Sequence, residues 1–285
     1  MGWTNYHGHC KYCDGHGEIE TYILQAIENK MPAIGISSHA PVPFDCFWTM
    51  KQENLHQYLS DIGCLEEKYG SGIDVLTSLE IDYIPDVTGP DFPFLKDIKL
   101  DYKIGSIHFV DQFQDGEHWA IDGSFDEFKK GLDEIFNGDI KTVVQRFYHL
   151  NREMLKTQKF DIIGHFDKIK MHNATEPLFD ENEEWYKQEL NETLDCIKEN
   201  NVIVEINTKS FERNGLLFPG VELFSIMLEK GIDITINSDA HYPEKLQVGY
   251  EYVADELIKA GYKTLKEYKN KTWVNVPFTK DGLQW

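Results

Sequence analysis

Short apolar runs that end directly in a histidine or an acidic residue constrain the fold of this chain most strongly. Six such runs end at His7-Gly8-His9, His39, Glu80, His108, His165 and Asp239-Ala240-His241. A short apolar run is typical of a buried strand, and the carboxyl ends of parallel strands open onto one face of a barrel. The pattern therefore predicts one site built from residues at both ends of the chain.

Amphipathic stretches separate these runs. Predicted helices cover residues 18–30, 51–69, 124–137, 142–158, 181–199, 220–230 and 251–260, and predicted strands cover residues 3–6, 33–37, 73–79, 102–107, 160–163, 202–206, 232–236 and 273–276. Alternation of strands and helices indicates a parallel sheet. We expect an α/β fold in which residues 1–285 form a single domain. Seven or eight strands fit a (β/α) barrel better than an open sheet.

Composition limits the class of function. The formal net charge is −21, which repels nucleic-acid backbones at long range but allows one small phosphorylated ligand. No apolar run reaches the roughly 18 residues that a membrane helix needs, and the N-terminal residues lack the apolar core of a signal peptide. With five cysteines, the chain is expected to be a reduced, cytoplasmic protein without nucleic-acid or membrane partners. The sequence does not specify an oligomeric state.

The residues at the strand ends are of the types that bind transition metals. Residues two apart on an extended chain share a face, so both imidazoles of His7-x-His9 can bind one ion. His16 joins the candidates because glycines flank it in the loop 13–17. The candidate ligands are His7, His9, His16, His39, Glu80, His108, His165, Asp239 and His241. Nine groups suit two or three Zn, Mn or Fe(II) ions, with Glu80 as a bridge.

Cys10-x-x-Cys13 resembles a zinc or redox motif. A structural zinc site needs a second pair of ligands, which the sequence lacks, and a thioredoxin-type site needs the pair to open a helix. We therefore expect free thiols beside the site. The remaining histidines, His56, His118, His149 and His172, are interpreted as ordinary residues.

These motifs, in this order, resemble the PHP (polymerase and histidinol phosphatase) superfamily. The matching pieces are His7-Gly8-His9, Ser38-His39-Ala40-Pro41, Leu79-Glu80-Ile81-Asp82, Gly105-Ser106-Ile107-His108, Ile163-Gly164-His165 and Ser238-Asp239-Ala240-His241. The Cys-Asp-Gly-His-Gly loop, the His-Ala-Pro turn and Glu205-Ile206-Asn207-Thr208 followed by Arg213 are similar to the stand-alone histidinol-phosphatase branch. Many members carry Asp where Asn5 stands, a difference expected to affect the orientation of His7.

The resemblance implies a distorted (β/α)7 barrel, similar to a TIM barrel, with a trinuclear metal centre. It implies one ion on His7, His9, Glu80 and Asp239, a second on Glu80, His108 and His165, and a third on His16, His39 and His241. It also implies hydrolysis of L-histidinol phosphate, a step of histidine biosynthesis, by attack of a hydroxide held by the metals.

Further residues are candidates for catalysis and substrate binding. Asp239 or His241 could pass a proton to the leaving alkoxide. Arg213 is the candidate phosphate clamp, with Lys209 and Arg152 as weaker candidates, and Asn207 and Glu117 are candidate acceptors for the histidinol amine and imidazole. The loops 109–123 and 207–218 are long enough to form the pocket.

Alternative functions remain open from sequence. A phosphodiesterase or exonuclease of the same superfamily is one, and another small-molecule phosphatase is a second. A metal-binding regulatory module is the non-enzymatic alternative, disfavoured because all nine candidate ligands are present.

Overall fold

The computed structural model describes residues 2–285, in which strands and helices alternate through most of the chain. Its strands are β1 Ala33–Ile36, β2 Asp74–Thr77, β3 Glu80–Asp82, β4 Ile104–Ser106, β5 Phe109–Gln112, β6 His118–Ala120, β7 Ile162–Ile163, β8 Ile203–Asn207, β9 Ile234–Asn237, β10 Thr264–Lys269, β11 Thr272–Thr279 and β12 Gly282–Leu283. Its α-helices are α1 Ile19–Glu28, α2 Leu55–Tyr69, α3 Pro93–Lys96, α4 Phe125–Phe136, α5 Ile140–Thr157, α6 Glu184–Asn200, α7 Phe211–Asn214, α8 Phe224–Glu229 and α9 Tyr250–Ala260. The expected mixed α/β class is confirmed.

Parallel pairing dominates the sheets that carry the candidate ligands. One five-stranded sheet has the order β3-β4-β7-β8-β9, and a second sheet pairs β1 with β2. Every neighbouring pair in both sheets is parallel. The carboxyl ends of these strands therefore lie at the same edge of each sheet.

Isolated parallel bridges connect the N-terminal segment to both sheets. Asn5 pairs with Ile34, and Gly8 pairs with Ala240 just after β9. A further bridge joins His39 to Glu80. The segment that carries the first two histidines is therefore held between β1 and the chain that follows β9.

Helix α1 illustrates how the apolar spacing becomes packing. Ile19, Tyr22, Ile23 and Ala26 are buried, as the i, i+3, i+4, i+7 spacing predicts. Ile27, expected on the same face, is 42% exposed because it lies at the edge of the apolar stripe. Among residues 2–285, no helix is both long enough and apolar enough to cross a membrane.

Besides residues 3–6, which were expected to be a strand and form only the isolated bridge between Asn5 and Ile34, two regions differ from the sequence-based expectation. The segment 273–276, expected among the parallel strands, lies in β11 and pairs antiparallel with β10. The segment 109–123, expected as a loop, contains the antiparallel hairpin of β5 and β6. In both cases the partner strand is adjacent in the chain, so a tight turn allows antiparallel pairing where a parallel partner would need a crossover.

A buried carboxylate lies on β10. Glu267 Oε2 accepts hydrogen bonds from Thr4 Oγ1 (2.6 Å) and from the Tyr6 hydroxyl (2.7 Å). Burial raises the pKa of Glu267 to about 7, although these two hydrogen bonds lower the pKa in part. Below about pH 7, the folded protein therefore favours the protonated form of Glu267.

This raised pKa predicts a pH-dependent stability. The contribution of Glu267 is present below its ordinary pKa of 4.5 and is lost as the pH rises through about 7. From pH 5 to pH 8, we expect the difference in unfolding free energy between Glu267→Gln and the unmodified protein to shift by about 2–3 kcal/mol in favour of the variant. Urea denaturation of both proteins at the two pH values measures this difference. The same difference at both values would contradict the prediction.

Candidate metal centre

The Glu80 carboxylate, at the start of β3, is the centre of the candidate site. It is almost completely buried, with 1% of its surface exposed. Its two oxygens have a histidine nitrogen within 4 Å at His7 Nε2 (3.1 Å), His9 Nε2 (3.5 Å), His39 Nδ1 (3.0 Å), His108 Nε2 (3.7 Å) and His165 Nε2 (2.9 Å). A carboxylate surrounded on both oxygens in this way is suited to bridge two cations.

Asp239 and His241 extend the cluster on the other side of His9. Asp239 Oδ1 lies 3.0 Å from His9 Nε2 and 3.5 Å from His241 Nδ1. Potential ligand atoms lie within 4.8 Å of one another in three groups: His7, His9 and Asp239; His39, Glu80 and His108; and His9, Asp14, His39 and His241. The groups share residues, so they form one continuous cluster.

Several atoms of this cluster are buried and unpaired. Among the described residues, His7 Nε2, His9 Nε2, His39 Nδ1 and Glu80 Oε2 have no solvent contact and no hydrogen-bond partner. Leaving buried polar atoms unpaired costs about 1–3 kcal/mol each, so their convergence needs a cause. Imidazole nitrogens and carboxylate oxygens are ligands for Zn, Mn and Fe(II), so these residues fit such ions.

Hydrogen bonds on the opposite ring nitrogens orient the histidines. His7 Nδ1 donates to Glu205 Oε2 (2.6 Å), and His108 Nδ1 donates to Asp82 Oδ1 (2.9 Å). His241 Nδ1 donates to the backbone carbonyl of Asp239 (2.9 Å). Each bond directs the Nε2 atom toward the cluster, where the neutral form of the ring offers a lone pair to a cation, an arrangement typical of metal-binding histidines.

Glu205 links several parts of the cluster. Besides His7, its carboxylate accepts from Asn207 Nδ2 (2.7 Å) and from the backbone N–H of His165 (3.3 Å). Asn207 Nδ2 also donates to Asp239 Oδ2 (3.1 Å), and its carbonyl oxygen accepts from the N–H of Lys209 (3.0 Å). Both polar groups of Asn207 are therefore engaged within the protein. The prediction was that Asn207 binds the substrate, but in the structure it is buried and contacts Asp239.

Two of the candidate ligands, His165 and Asp239, have an unusual backbone conformation. His165 (φ 23°) and Asp239 (φ 49°) both have positive φ, which costs a non-glycine residue about 1–3 kcal/mol. Gly164 precedes the first of them, and a Cβ there would lie 2.4 Å from Ser106 Oγ. Ser106 Oγ donates to Glu80 Oε1 (2.7 Å), so the glycine permits a contact that holds the central carboxylate.

Electrostatics keep three of the histidines neutral near pH 7. Burial, reinforced by Lys168, lowers the pKa of His165 to about 4. Burial and the neighbouring His241 and His39 lower the pKa of His9 well below its usual value. Burial, together with Lys209, also lowers the pKa of His241. Neutral imidazoles retain the lone pair that a metal needs.

At His108, Glu80 and Asp239, neighbouring charges shift the pKa values toward the charged forms. Burial lowers the pKa of His108, but Asp82 and Asp122 outweigh it and raise this pKa to about 9. Burial raises the pKa of Glu80, but the surrounding histidines bring it well below its usual value. Lys209 and His7 outweigh burial in the same way at Asp239, and its pKa is also lowered. Both carboxylates are therefore ionised and attract cations.

His16 lies outside the cluster, contrary to expectation. Its side chain is exposed and stacks on Tyr242 with the ring centroids 4.3 Å apart. Asp14, from the same loop, lies beside His241 instead, with Oδ2 3.2 Å from His241 Nε2 and Oδ1 3.8 Å from His39 Nε2. The N–H of His16 donates to the carbonyl of His241 (2.7 Å), and this bond pins the backbone so that Asp14 points inward.

The three side chains that were expected to bind phosphate lie in different surroundings. Lys209 Nζ lies 3.3 Å from Asp239 Oδ1 and 3.1 Å from His241 Nε2. Arg213, in the short helix α7, is exposed and makes no ion pair or side-chain hydrogen bond with residues 2–285. Arg152 pairs with Glu189 (2.7 Å) between α5 and α6. The structure therefore brings Lys209 to the site, but not the expected clamp Arg213.

A cavity of about 740 Å³ opens beside the cluster. Asp14, His39 and Lys209 form its inner wall. The outer wall is aromatic and acidic and includes Phe44, Trp48, Phe109, His118, Asp45, Glu117 and Asp122. Glu117 is an exposed residue of this wall, and its role in substrate binding stays a prediction; Asp122 forms an ion pair with the buried Lys168 (2.8 Å).

Sequence reasoning missed Asp14, Asp82, Asp122 and Glu205. Asp82 and Glu205 lie within motifs that had been noted, and the alternation of Glu80-Ile81-Asp82 could have placed both acids on one face. His118 and His172 were interpreted as ordinary residues. His118 lines the cavity and stacks on Phe44, and His172 Nε2 lies 3.0 Å from the carbonyl of Ile121.

The five cysteines are free, as expected. Cys10 Sγ lies 3.1 Å from Ser38 Oγ, and Cys13 Sγ lies 3.5 Å from His9 Nδ1. Burial raises the pKa of both thiols, that of Cys13 to about 12. They therefore pack beside the cluster as thiols.

Comparison with known proteins adds to this geometry. The PHP domain family matches residues 5–209. A histidinol-phosphatase of Bacillus subtilis is 25% identical over 267 residues, which cover 87% of this chain and 96% of the relative. A Deinococcus radiodurans protein named "Probable histidinol-phosphatase" is 25% identical over 271 residues, covering 93% of this chain and 96% of the relative.

Solved structures have a similar fold. The HisK protein of Listeria monocytogenes aligns with a TM-score of 0.76 at 20% identity, covering 87% of this chain and 99% of that chain. The histidinol phosphate phosphatase of Lactococcus lactis, solved with zinc, L-histidinol and phosphate, aligns with a TM-score of 0.68 at 15% identity and covers 99% of both chains.

Proposed function

The chain belongs to the PHP domain family, and from this premise we propose that it is a metal-dependent phosphomonoesterase that hydrolyses L-histidinol phosphate to L-histidinol and phosphate. The observation that carries the proposal is the cluster of histidines around the buried Glu80, which leaves unpaired lone pairs beside a cavity. The histidinol-phosphatase names of the relatives support the choice of substrate.

The residues fit two or three divalent transition-metal ions. We assign His7, His9, Glu80 and Asp239 to one ion, Glu80, His108 and His165 to a second, and His39, His241 and Asp14 to a third, with Asp14 in the place expected for His16. Bound ions of this type supply positive charge to the phosphoryl oxygens and make water more acidic. No protein nucleophile is required.

The protein's own groups bind and orient the reactants. Lys209 is the cation on the cavity wall next to the cluster, so it is placed to contact a phosphoryl oxygen. Asp239 and His241 are the proposed catalytic residues, because both lie beside this ammonium and the lowered pKa of each leaves it unprotonated near neutral pH. Glu205 and Asp82 hold the imidazoles of His7 and His108.

The cavity suits the leaving group. L-Histidinol carries an ammonium group and a flat imidazole. The carboxylates of Asp45, Glu117 and Asp122 can pair with the ammonium group. The rings of Phe44 and Trp48 can stack on the imidazole. The same acidic wall disfavours a polyanionic nucleic acid, so the phosphodiesterase alternative is less well supported. A cytoplasmic location and the lack of nucleic-acid or membrane partners stay predictions from composition.

We also propose that the strands close into a distorted seven-stranded (β/α) barrel in a single domain. The N-terminal segment, β1, the interrupted strand of β2 and β3, and strands β4, β7, β8 and β9 would form it. The parallel bridges Asn5–Ile34, His39–Glu80 and Gly8–Ala240 support this closure.

Steady-state kinetics of the metal-loaded protein test the function. We expect kcat/KM for L-histidinol phosphate to exceed that for phenyl phosphate by at least about 100-fold, because the acidic cavity binds the leaving group. Glu117→Gln should lower this preference about two- to fivefold, as for one exposed ion pair, and leave phenyl phosphate unaffected. Equal kcat/KM values would contradict the substrate, faster hydrolysis of bis(p-nitrophenyl) phosphate would favour a diesterase, and no turnover would favour a regulatory module.

A further inference from the structure

Lys209 stands in a position that the proposed metal centre does not explain. Lys209 follows β8 by two positions, and its backbone N–H donates to Asn207 Oδ1 (3.0 Å). The ammonium donates to Asp239 Oδ1 (3.3 Å) and lies 3.1 Å from His241 Nε2. It therefore contacts one atom from each of two groups of potential metal ligands.

The contact with His241 uses the lone pair that a metal would use. His241 Nδ1 donates to the Asp239 carbonyl (2.9 Å), so the proton of the neutral ring is on Nδ1 and the lone pair is on Nε2. Asp14 Oδ2 lies 3.2 Å from the same nitrogen. Two acceptors this close need a cation beside them, and the Lys209 ammonium fulfils that need for His241.

We infer that the Lys209 ammonium competes with the divalent ion of the group His9, Asp14, His39 and His241. The inference rests on the metal centre proposed above. One lone pair serves one partner, so an ion that binds His241 Nε2 displaces the ammonium. This ion is therefore the weakest bound and most exchangeable of the set. The ammonium also contacts Asp239, but a carboxylate has several lone pairs and can accept from the ammonium while it binds an ion, so the other ions bind without competition.

The displaced Lys209 ammonium can move into the cavity. Lys209 is 36% exposed and lines the cavity in which we place the phosphoryl group. An anion in the cavity that holds the ammonium away from His241 favours binding of the ion, and by linkage the ion favours binding of the anion. Lys209 thereby couples occupancy of the exchangeable site to occupancy of the cavity.

Metal titration of the full chain tests the competition. The metal-free protein, prepared with a chelator, is titrated with Mn²⁺ alone, and bound metal is measured by equilibrium dialysis and elemental analysis. Lys209→Met should bind the weakest Mn²⁺ ion about 10- to 100-fold more tightly, as expected when a charge-assisted hydrogen bond no longer has to be broken. The affinities of the tighter ions should change by less than about threefold.

Lys130→Met is the matched control. Lys130 lines the same cavity but lies over the ring of Phe113, 4.5 Å from its centroid, so this variant removes the same charge without freeing a ligand. It should bind all ions as the unmodified protein does, and Lys209→Arg, which retains a cation, should gain less than Lys209→Met. Unchanged or weaker binding in Lys209→Met, or an equal gain in Lys130→Met, would overturn the inference. No bound Mn²⁺ in any variant would instead contradict the metal centre itself.

Discussion

Replacing Asp239 with alanine is expected to lower kcat for L-histidinol phosphate by at least about 100-fold while the protein stays folded. Its carboxylate contacts His9 (3.0 Å) and Lys209 (3.3 Å), so its loss removes a metal ligand and the partner of a cation together. His165→Ala should have an effect of similar size, because His165 Nε2 is 2.9 Å from Glu80 Oε1. Steady-state kinetics and elemental analysis of the same samples measure both losses.

His56→Ala is the control for this result. His56 lies on the exposed side of helix α2 and outside every group of potential ligands. It should retain the kcat and metal content of the unmodified protein. His172 is unsuitable as a control, because it is buried against Phe128 and contacts the Ile121 carbonyl. An equal loss in His56→Ala would mean that the catalytic histidines lie elsewhere.

Replacing Glu205 with glutamine is expected to weaken metal binding about 10- to 100-fold, although Glu205 belongs to none of the groups of potential ligands. The carboxylate holds the imidazole of His7 at 2.6 Å and anchors Asn207, which in turn contacts Asp239. Glutamine has nearly the same shape but one oxygen fewer, so at least one of these contacts is lost. Metal dissociation constants from dialysis against a chelator measure the effect.

Glu267→Gln is a matched control for Glu205→Gln. Both residues are buried glutamates on strands, but Glu267 contacts Thr4 and Tyr6 and no metal-binding residue. Its replacement should leave metal affinity within about twofold of the unmodified value. If both variants lost affinity equally, the loss of a buried carboxyl group rather than the orientation of His7 would explain the change.

The strand-end histidines could be predicted because their signal is local. A run of three to five mostly apolar residues followed by His39, His108 or His165 identifies both a buried strand and the residue at its carboxyl end. Parallel pairing then brings such ends together whatever their separation in sequence. The mixed α/β class and most element positions followed from the same apolar periodicity.

The loop 13–17 shows where this reasoning fails. Asp14 and His16 are two residues apart, and both are metal-ligand types next to Gly15. Which of them points inward depends on the bond from the His16 N–H to the His241 carbonyl (2.7 Å) and on the bond from the Lys11 N–H to the Gly17 carbonyl (2.9 Å). The partner of the first bond is more than two hundred positions away, so local sequence cannot decide between them.

The choice between the two cations that follow β8 is a second case in which prediction from sequence fails. Lys209 and Arg213 are four positions apart, and the bidentate geometry of arginine favoured Arg213 from sequence. In the structure Lys209 is next to Asp239 and His241, whereas the short helix α7 carries Arg213 to an exposed position. Whether Lys209 or Arg213 reaches the site depends on the path of the backbone after β8. The general preference for arginine at phosphate sites does not predict this path.

The sequence by itself determined the α/β class, the strand ends and the chemical type of the site, because the apolar period and the residue that ends each run are local properties. Only the tertiary structure decided which side chains meet. It put Asp14 rather than His16 beside His241, and it gave Glu205 the task of orienting His7. Those outcomes depend on hydrogen bonds and packing between segments far apart in the chain, and such contacts leave no periodic signal in the sequence.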